Sequence, residues 1–314
     1  MLMKEKDFDK KADYLFDGAV SLKELNLRFG PEIRVSQYGF HNSLYSKSID
    51  YAVHLAVSTM VLNNSLDYKN ELSTSAIRAE SIANALALDL SVKKSRTINN
   101  IQESIDRLVS FGLFDIEYID EMDKGLFILK QSIFSLNNNG VGNYFYLSTS
   151  EYLKLIKIKK NNDKYNAVAI AMSIFSEINY IRSDRYWNAD KDYGKVFSER
   201  NLDNANIFRR SFTNVGVNIL AEKANMSLST FKRNRDNLIK NKIIKVVKVQ
   251  RMFENYDNYG SWTNYYCHYE EMTFLKIYLL NLIKSNTKNP KEQIIDVDIT
   301  EAEKEIRKWH MRIS

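Results

Sequence analysis

Cysteine, proline and glycine are all scarce in this chain, and each scarcity narrows what the protein can be. Its 314 residues include one cysteine, two prolines and ten glycines. The single cysteine, Cys267, cannot form an intramolecular disulfide or build a cysteine-based zinc site. Few prolines and glycines favour helices joined by short turns and hairpins. The composition therefore predicts a mostly α protein with small β-hairpins, of the α+β class.

Long apolar runs and catalytic motifs are missing as well. No stretch reaches the roughly 18 apolar residues of a membrane-spanning helix, and the charged N-terminus lacks the apolar core of a secretory signal. We therefore expect a cytoplasmic protein with no membrane partner. There is no phosphate-binding loop of the Gly-x-x-x-x-Gly-Lys-Ser/Thr type. The histidines are scattered rather than paired: His41, His54, His268 and His310. We predict no catalytic residues, no metal, no cofactor, and a protein that is not an enzyme.

Positive charge is concentrated in one part of the sequence. The net charge of +6 and the pI of about 9.0 are modest. From Ser227 to Lys248, however, the only acid is Asp236. The basic residues of this stretch are Lys232, Arg233, Arg235, Lys240, Lys242, Lys245 and Lys248. Such a cluster gains affinity for nucleic acid by releasing counterions from phosphates. The alternative is that a helix rich in Lys and Arg is only a solvated face.

The segment around this cluster has the pattern helix, turn, helix and hairpin. Residues 217–226 carry apolar side chains on one side and predict a short first helix. Residues 227–240 predict a basic second helix. Residues 243–249 alternate as a strand does, and residues 262–269 can pair back with them. This order is that of a winged helix, whose second helix reads DNA.

The same pattern occurs upstream in a weaker form. Residues 81–88 predict a small apolar helix, and residues 95–112 predict a longer second helix with apolar side chains at helical spacing. Residues 113–119 and 126–130 predict the two strands of a hairpin. The chain therefore repeats one architecture, with a longer second helix in the first copy.

An alignment of the two copies supports the repeat. Placing Leu108 on Leu238 also places Ile101 on Phe231, so that the apolar positions of the second helices coincide. Gly112 lies just past the helix of the first copy, where glycine is favoured because the chain takes a left-handed conformation there.

A long apolar helix precedes each copy, at residues 48–62 and 165–180, and is a candidate for the packing helix of a three-helix core. We therefore predict two winged-helix domains in tandem. The predicted organisation is an N-terminal arm at 1–47, a first winged-helix domain at 48–135, a linker at 136–142, a second winged-helix domain at 143–285, and a C-terminal tail with a short helix at 286–314.

Recognition of DNA is assigned mainly to the second copy. The side chains expected to face the major groove are Ser229, Thr230, Lys232, Arg233 and Arg235, because Arg reads guanine and Ser or Thr reads a base or holds a phosphate. The residues expected to contact the DNA backbone are Lys240, Lys242, Lys245 and Lys248. Arg251, near the tip of the hairpin, either enters a minor groove or belongs to an ordinary turn.

The second helix of the first copy is less basic. It is predicted to offer Lys93, Lys94 and Arg96 to DNA, or else to hold a partner protein. An insertion at residues 183–214 is rich in arginine, and the sequence leaves open whether it contacts DNA or is a solvated connection.

Two winged helices in tandem, each with a leading helix and without a catalytic motif, resemble the plasmid replication initiators that work by the theta mode. Residues 81–130 and 217–269 carry the resemblance. It implies binding to repeated origin sites (iterons), strand opening, and recruitment of a host helicase or primase. It also implies stronger sequence-specific contacts by the second domain and dimerisation through the first, which makes a homodimer the expected state.

Two other functions use the same residues. A transcriptional regulator would bind an operator with the same helix. A primosome adaptor of a phage or mobile element would load a helicase through the C-terminal helix, with DNA contacts secondary. Repeated sites near the gene would favour an initiator, and one palindrome overlapping a promoter would favour a regulator.

Overall fold

The computed structural model describes residues 2–18, 32–41, 43–61, 74–91, 93–118, 126–131, 144–178, 180–181, 209–210, 212–252, 261–285 and 293–300. Across these segments the chain is mostly helical with small antiparallel sheets, which confirms the α+β class. Contacts divide the chain into two compact units. Unit A comprises Phe29–Ser176 and Val217–Ile243, and unit B comprises Met1–Arg28, Glu177–Gly216 and Ile244–Ser314.

The helices are α1 (Glu5–Leu15), α2 (Tyr38–His41), α3 (Ser48–Val61), α4 (Ala79–Ala85), α5 (Lys94–Ser110), α6 (Thr149–Ile156), α7 (Asn161–Ser176), α8 (Val217–Lys223), α9 (Leu228–Lys240) and α10 (Met272–Ser285). The strands are β1 (Glu32–Ser36), β2 (Thr74–Arg78), β3 (Phe114–Tyr118), β4 (Leu126–Gln131), β5 (Tyr144–Ser148), β6 (Tyr180–Ile181), β7 (Arg209–Arg210), β8 (Ile244–Met252), β9 (Ser261–His268) and β10 (Gln293–Asp298). A short 3-10 turn, Tyr269–Glu271, links β9 to α10.

Two apolar helices lie in the core of unit A. Helix α3 packs against α7; α4 and α5 also pack on α3, while α8 and α9 pack on α7. Both central helices are buried nearly all round, and this explains why they lack a polar face. Their buried hydroxyls bond to the helix backbone instead: Ser58 donates to the carbonyl of His54 at 2.8 Å and Ser173 to that of Ile170 at 2.9 Å. The two predicted packing helices are therefore present.

Unit A also contains the hairpin of the first copy. Strands β3 and β4 pair antiparallel, with Ile116 opposite Leu129. Strand β2 adds to the other edge of β4, which gives the order β2-β4-β3. Strands β1 and β5 form a separate antiparallel pair in which Val35 lies opposite Phe145. The hairpin was predicted from its alternating pattern, whereas β1 and β2 were not.

The two copies end their second helices in the same way. The chain turns left-handed at Gly112, with φ of +74°, and at Lys242, with φ of +53°. In each copy the N–H of the next residue bonds to the helix, to the carbonyl of Leu108 at 2.9 Å or of Leu238 at 3.0 Å. Two such bonds satisfy carbonyls that a helix end otherwise leaves unpaired. Helix α5 has 17 residues and α9 has 13, so the longer helix is in the first copy, as predicted.

Unit B is built on a three-stranded sheet of order β10-β8-β9. Strands β8 and β9 form the predicted hairpin, in which Val247 lies opposite Tyr265. Helix α1 packs against α10, and Phe8 and Leu15 enter the same apolar core as the sheet. The N–H of Met3 bonds to the carbonyl of Ile294 at 3.0 Å. The segment predicted as an N-terminal arm therefore includes a packed helix, which differs from the prediction.

The compact units do not follow the predicted domain boundaries. The helix pair α8–α9 groups with residues 29–176, whereas the hairpin that follows it belongs to unit B. The physical reason is that α9 packs on α7, which itself packs on α3. The predicted linker at 136–142, most of the insertion at 183–214, the hairpin tip at 253–260 and the terminal helix after Thr300 lie outside the described residues.

Candidate nucleic-acid interface

Helix α9, the basic helix of the second copy, begins at a well-formed cap. Ser227 is extended, with φ of −63° and ψ of 150°, and its side chain accepts the N–H of Thr230. Its Oγ also lies 3.1 Å from Oγ of Ser229 and 2.9 Å from Oγ1 of Thr230. A hydroxyl at this position satisfies a helix N–H that would otherwise lack a partner. The first turn of α9 is therefore fixed, and three hydroxyls are gathered at its start.

The turn between α8 and α9 is anchored to the start of α3 within unit A. Asn225 takes a left-handed conformation, with φ of +49°. Its side-chain Nδ2 donates to the carbonyl of Ser46 at 2.6 Å and to that of Tyr45 at 3.3 Å. The hydroxyl of Tyr51 donates to the carbonyl of Lys223, the last residue of α8. These bonds position the helix pair against the central helices.

The turn after α4 in the first copy is held by contacts from α6 and α7 within unit A. The ammonium of Lys164, on α7, donates to the carbonyls of Leu86, at 2.8 Å, and Ala87. The hydroxyl of Tyr152, on α6, donates to the carbonyl of Ala85. A cation at the C-terminal end of a helix interacts favourably with the helix dipole. Burial lowers the pKa of Lys164 and raises the pKa of Tyr152.

Helix α9 has one buried face and one exposed face. Phe231, Asn234 and Leu238 point inward and are buried. Asn234 completes the inner face by donating from Nδ2 to the carbonyl of Thr230 at 2.9 Å. The exposed face follows the spacing i, i+3, i+4, i+7 of one helix side. Its residues are Ser229, Lys232, Arg233, Asp236, Asn237 and Lys240.

Three cations of the exposed face have no counter-charge among the residues that the structure describes. Within the described segments, Lys232, Arg233 and Lys240 take part in no ion pair. The acid on this face, Asp236, is engaged by Arg235, whose Nη2 lies 2.9 Å from Oδ1. The exposed face of α9 is therefore positively charged, and its cations are available to an external anion.

Arg235 and Thr230 lie at the border of this face. The side chain of Arg235 is only 17% exposed and is bonded to Asp236. Thr230 is half-buried. Both were predicted to face the groove together with Ser229, but the helix turns them towards its flank. Of the predicted base-reading residues, the structure brings Ser229, Lys232 and Arg233 onto one exposed surface.

The predicted backbone-contacting residues are divided between the two units. In unit A, Lys240 and Lys242 are exposed at the end of α9, and the carbonyl of Lys242 accepts a bond from Lys154 at 3.0 Å. In unit B, Lys245 and Lys248 are half-buried, and Nζ of Lys248 lies 3.7 Å from a carboxylate oxygen of Asp298.

Arg251 was predicted either to enter a minor groove or to belong to a turn at the hairpin tip, but it lies in the interior of unit B. It is only 7% exposed, and its guanidinium lies 5.6 Å from the ring centroid of Tyr265. An arginine placed over an aromatic face gains a cation–π interaction. We therefore do not retain Arg251 among the candidate DNA contacts, because its strand carries it into the sheet rather than to the hairpin tip.

In the first copy the three predicted residues are all exposed. Lys93, Lys94 and Arg96 lie at the start of α5 and form no ion pair within the described residues. The rest of the exposed face turns acidic at Glu103 and Asp106. This helix therefore offers a short basic end, whereas α9 offers a basic face along its whole length.

Asn237 lies on the exposed face but was not among the predicted DNA contacts. It was not predicted because the expected contacts were basic or hydroxyl side chains, and asparagine is neither. The helical spacing of Ser229, Arg233 and Asn237, each four residues apart, was the signal that could have found it.

Within the described segments, no helix is both long enough and apolar enough to cross a membrane. The same segments bring together no three His, Cys, Asp or Glu side chains that could hold a metal ion.

Comparisons with known proteins give no relative from which a function could be transferred. No family profile matches the chain, and neither a curated protein nor a solved structure matches it. Its function must therefore be inferred from its own residues.

Proposed function

We propose that this protein binds specific sequences of double-stranded DNA through helix α9, and that it acts as a replication initiator at repeated origin sites. The observation that carries the proposal is the exposed face of α9. It presents Lys232, Arg233 and Lys240 along one side of the helix with no protein counter-charge in the described segments. A helix of this width and charge fits the major groove of B-form DNA.

The rigid support of α9 favours a DNA-recognition helix over a helix whose basic face is only solvated. Phe231 and Leu238 are fully buried beneath the exposed face. Ser227 caps the helix start, and Asn225 ties the preceding turn to the segment before α3. Base recognition requires side chains held in a fixed position relative to the groove. The buried side of α9 provides that support.

The element order supports a winged-helix reading of both copies. In the first copy a helix, a strand, two helices and a hairpin follow one another, and the strand order β2-β4-β3 closes them into one sheet. In the second copy, α7 is followed by the short paired strands β6 and β7 and then by α8, α9 and the hairpin β8–β9, with Thr213 bridged to Tyr266 where the first copy has β2 paired with β4. In helix–turn–helix proteins the second helix enters the major groove.

Two copies in one chain favour an initiator over a regulator. Initiators of the theta mode combine two such domains, whereas a regulator pairs one reading domain with a ligand-binding or dimerising domain. The stronger basic face of the second copy agrees with a division in which that copy makes the main sequence-specific contacts. A homodimer and a host helicase or primase are the partners that this proposal includes.

A nuclease footprint of the purified protein on DNA flanking its own gene tests the proposal. It is run at about 50 and 200 mM salt, because phosphate contacts weaken steeply over this range. We expect several directly repeated protected sites. Protection of a single inverted repeat at a promoter would contradict the initiator function and support a transcriptional regulator instead. The absence of protection at both salt concentrations would overturn DNA binding altogether.

Arg233→Ala and Lys240→Ala are expected to act differently on binding. Arg233 lies in the second turn of α9, and its loss should reduce discrimination between the best site and a single-base variant by about 1–3 kcal/mol. Lys240, at the end of the helix, should contact phosphate. Its loss should weaken binding to all sequences similarly and lower the salt slope by about one. Fluorescence anisotropy on matched and variant duplexes at several salt concentrations measures both quantities.

Lys10→Ala provides the control for loss of a positive charge. Lys10 is exposed on α1, and its replacement should leave both site discrimination and the salt slope unchanged. Equal loss on every duplex for Arg233→Ala would contradict its assignment to base reading and would place it with Lys240 among the phosphate contacts.

A further inference from the structure

We propose that Asn237 reads an adenine in the major groove, and that this adenine lies close to the base read by Arg233. The inference deepens the proposed function of α9 and rests on it. It adds a specificity-determining residue that is neither basic nor hydroxylated, and it specifies the chemistry of one base in the target.

The position of Asn237 on the helix is the first step. Ser229, Arg233 and Asn237 follow one another at intervals of four residues and are all exposed. Residues four apart lie on the same side of a helix. Asn237 therefore points to the same side as the arginine proposed to read a base, and it lies between that arginine and Lys240 at the helix end.

The second step is the availability of its amide group. The backbone carbonyl of Asn237 accepts Nδ2 of Asn241 at 2.7 Å. Among the described residues, no hydrogen bond engages the side-chain amide of Asn237. Asn234, one turn earlier, differs from it because its buried amide donates a hydrogen bond to the carbonyl of Thr230. The amide of Asn237 is therefore exposed, and none of the described residues uses its donor or its acceptor.

The third step is the match to a base. An asparagine side chain donates from Nδ2 to N7 of adenine and accepts the N6 amino hydrogen at Oδ1. No other base offers an acceptor and a donor in this arrangement on the major-groove edge. The neighbouring Asp236 could instead accept from cytosine, but its carboxylate is held by Arg235 at 2.9 Å. Asn237 is therefore the neutral reading group of the second half of the exposed face.

Spacing along the helix gives the distance between the two bases. Four residues of α-helix rise about 6 Å, and successive base pairs of B-form DNA are about 3.4 Å apart. An α-helix lying along the groove therefore places the adenine about two base pairs from the base that Arg233 reads.

The experiment uses a site selected from a random duplex library by the full-length protein. Each adenine of the selected site is replaced, one at a time, by 7-deazaadenine, which lacks the N7 acceptor. Binding of the unaltered protein, Asn237→Ala and Asn218→Ala is measured by fluorescence anisotropy. Asn218, on α8, supplies the control because it is also an exposed asparagine, but on another helix.

We expect one adenine at which the deaza substitution weakens DNA binding by about 5-fold or more. This loss should be seen for both the unaltered protein and the Asn218→Ala variant. Asn237→Ala should bind the two forms of that duplex equally, because the contact to N7 is already lost. Circular dichroism should show the same helix content for all three proteins, so that the effect is not a loss of folding.

Different outcomes separate the failure of this inference from that of the proposed function. If Asn237→Ala keeps the full sensitivity at every adenine, or weakens all duplexes equally while folded, the adenine assignment is overturned. If the library yields no preferred duplex at all, sequence-specific binding by α9 is overturned together with it.

Discussion

Asp50→Ala is expected to lower the free energy of unfolding by about 3–5 kcal/mol. Asp50 lies in the first turn of α3 and is completely buried. Its Oδ1 accepts Nη2 of Arg107 at 2.6 Å and Oγ of Ser104 at 2.7 Å, so that α3 is tied to α5. Removing the carboxylate leaves a largely buried guanidinium with no equivalent counter-charge, which costs far more than the loss of an exposed pair.

The same carboxylate also orders the start of its own helix. Its Oδ2 accepts the N–H of Lys47 at 2.9 Å and of Ser46 at 3.0 Å. Ser46 is also the residue whose carbonyl accepts from Asn225 in the turn before α9. We therefore expect Asp50→Ala to weaken the support of α9 as well as the packing of α5.

Glu103→Ala is the control, because Glu103 is a second carboxylate beside the same arginine. It lies 3.9 Å from Nη1 of Arg107, and its side chain is 61% exposed. An exposed pair on one helix contributes about 0.3–0.5 kcal/mol. Urea unfolding followed by circular dichroism at neutral pH measures both variants. Similar losses for Asp50→Ala and Glu103→Ala would show that the buried ion pair is not the main link between α3 and α5.

Elements whose contacts are local in sequence could be predicted. The helix pairs and both hairpins follow from periodicity, because partners such as Val247 and Tyr265 belong to adjacent strands of one hairpin. The alignment of Leu108 with Leu238 also held, since both carbonyls accept the N–H that follows a left-handed residue. The spacing of apolar residues within such a segment is therefore enough to predict its helices, strands and turns.

Elements whose partners are distant in sequence could not be predicted. Helix α1 has a charged outer face, and its sequence does not indicate which core it joins. In the structure the N–H of Met3, just before α1, bonds to the carbonyl of Ile294 on β10. Lys11 likewise pairs with Asp296 on β10, at the other end of the chain. Strand β10 also lacks a regular alternation, because its register shifts between Ile294 and Asp296 and its buried residues, Ile294 and Val297, are three apart.

The candidate site shows the same division. The composition of residues 227–240 was enough to predict that α9 is basic. The direction of each side chain depends on which side of the helix packs against the core, and composition does not give this. Asn234 is buried although it is polar. The exposed face of α9 is therefore not centred on the charged residues, and Arg235 lies at its border. Arg107 illustrates a second limit, because a basic residue of α5 is held by the buried carboxylate of Asp50, which its place in the sequence does not indicate.

Lowering the pH below about 6.5 is expected to destabilise the protein through His54. His54 is fully buried on α3, its Nδ1 lies 2.7 Å from the hydroxyl of Tyr45, and its ring makes a T-shaped contact with the ring of Phe114. Burial lowers the pKa of His54 from 6.5 to about 3. The unfolded chain therefore binds a proton that the folded chain rejects. This contribution to stability is complete above pH 6.5 and is lost as the pH falls towards 3.

The expected loss is about 1.4 kcal/mol for each pH unit within this window, or about 2–3 kcal/mol at pH about 4.5. Urea midpoints measured between pH about 7 and 4.5 test it. His54→Gln keeps a hydrogen-bonding side chain that does not titrate, so its stability should fall less over the same range. Carboxylates titrate in both proteins and cancel in the difference between the two curves. Parallel curves for His54→Gln and the unaltered protein would contradict the role of His54, because the pH dependence would then come from groups that both proteins share.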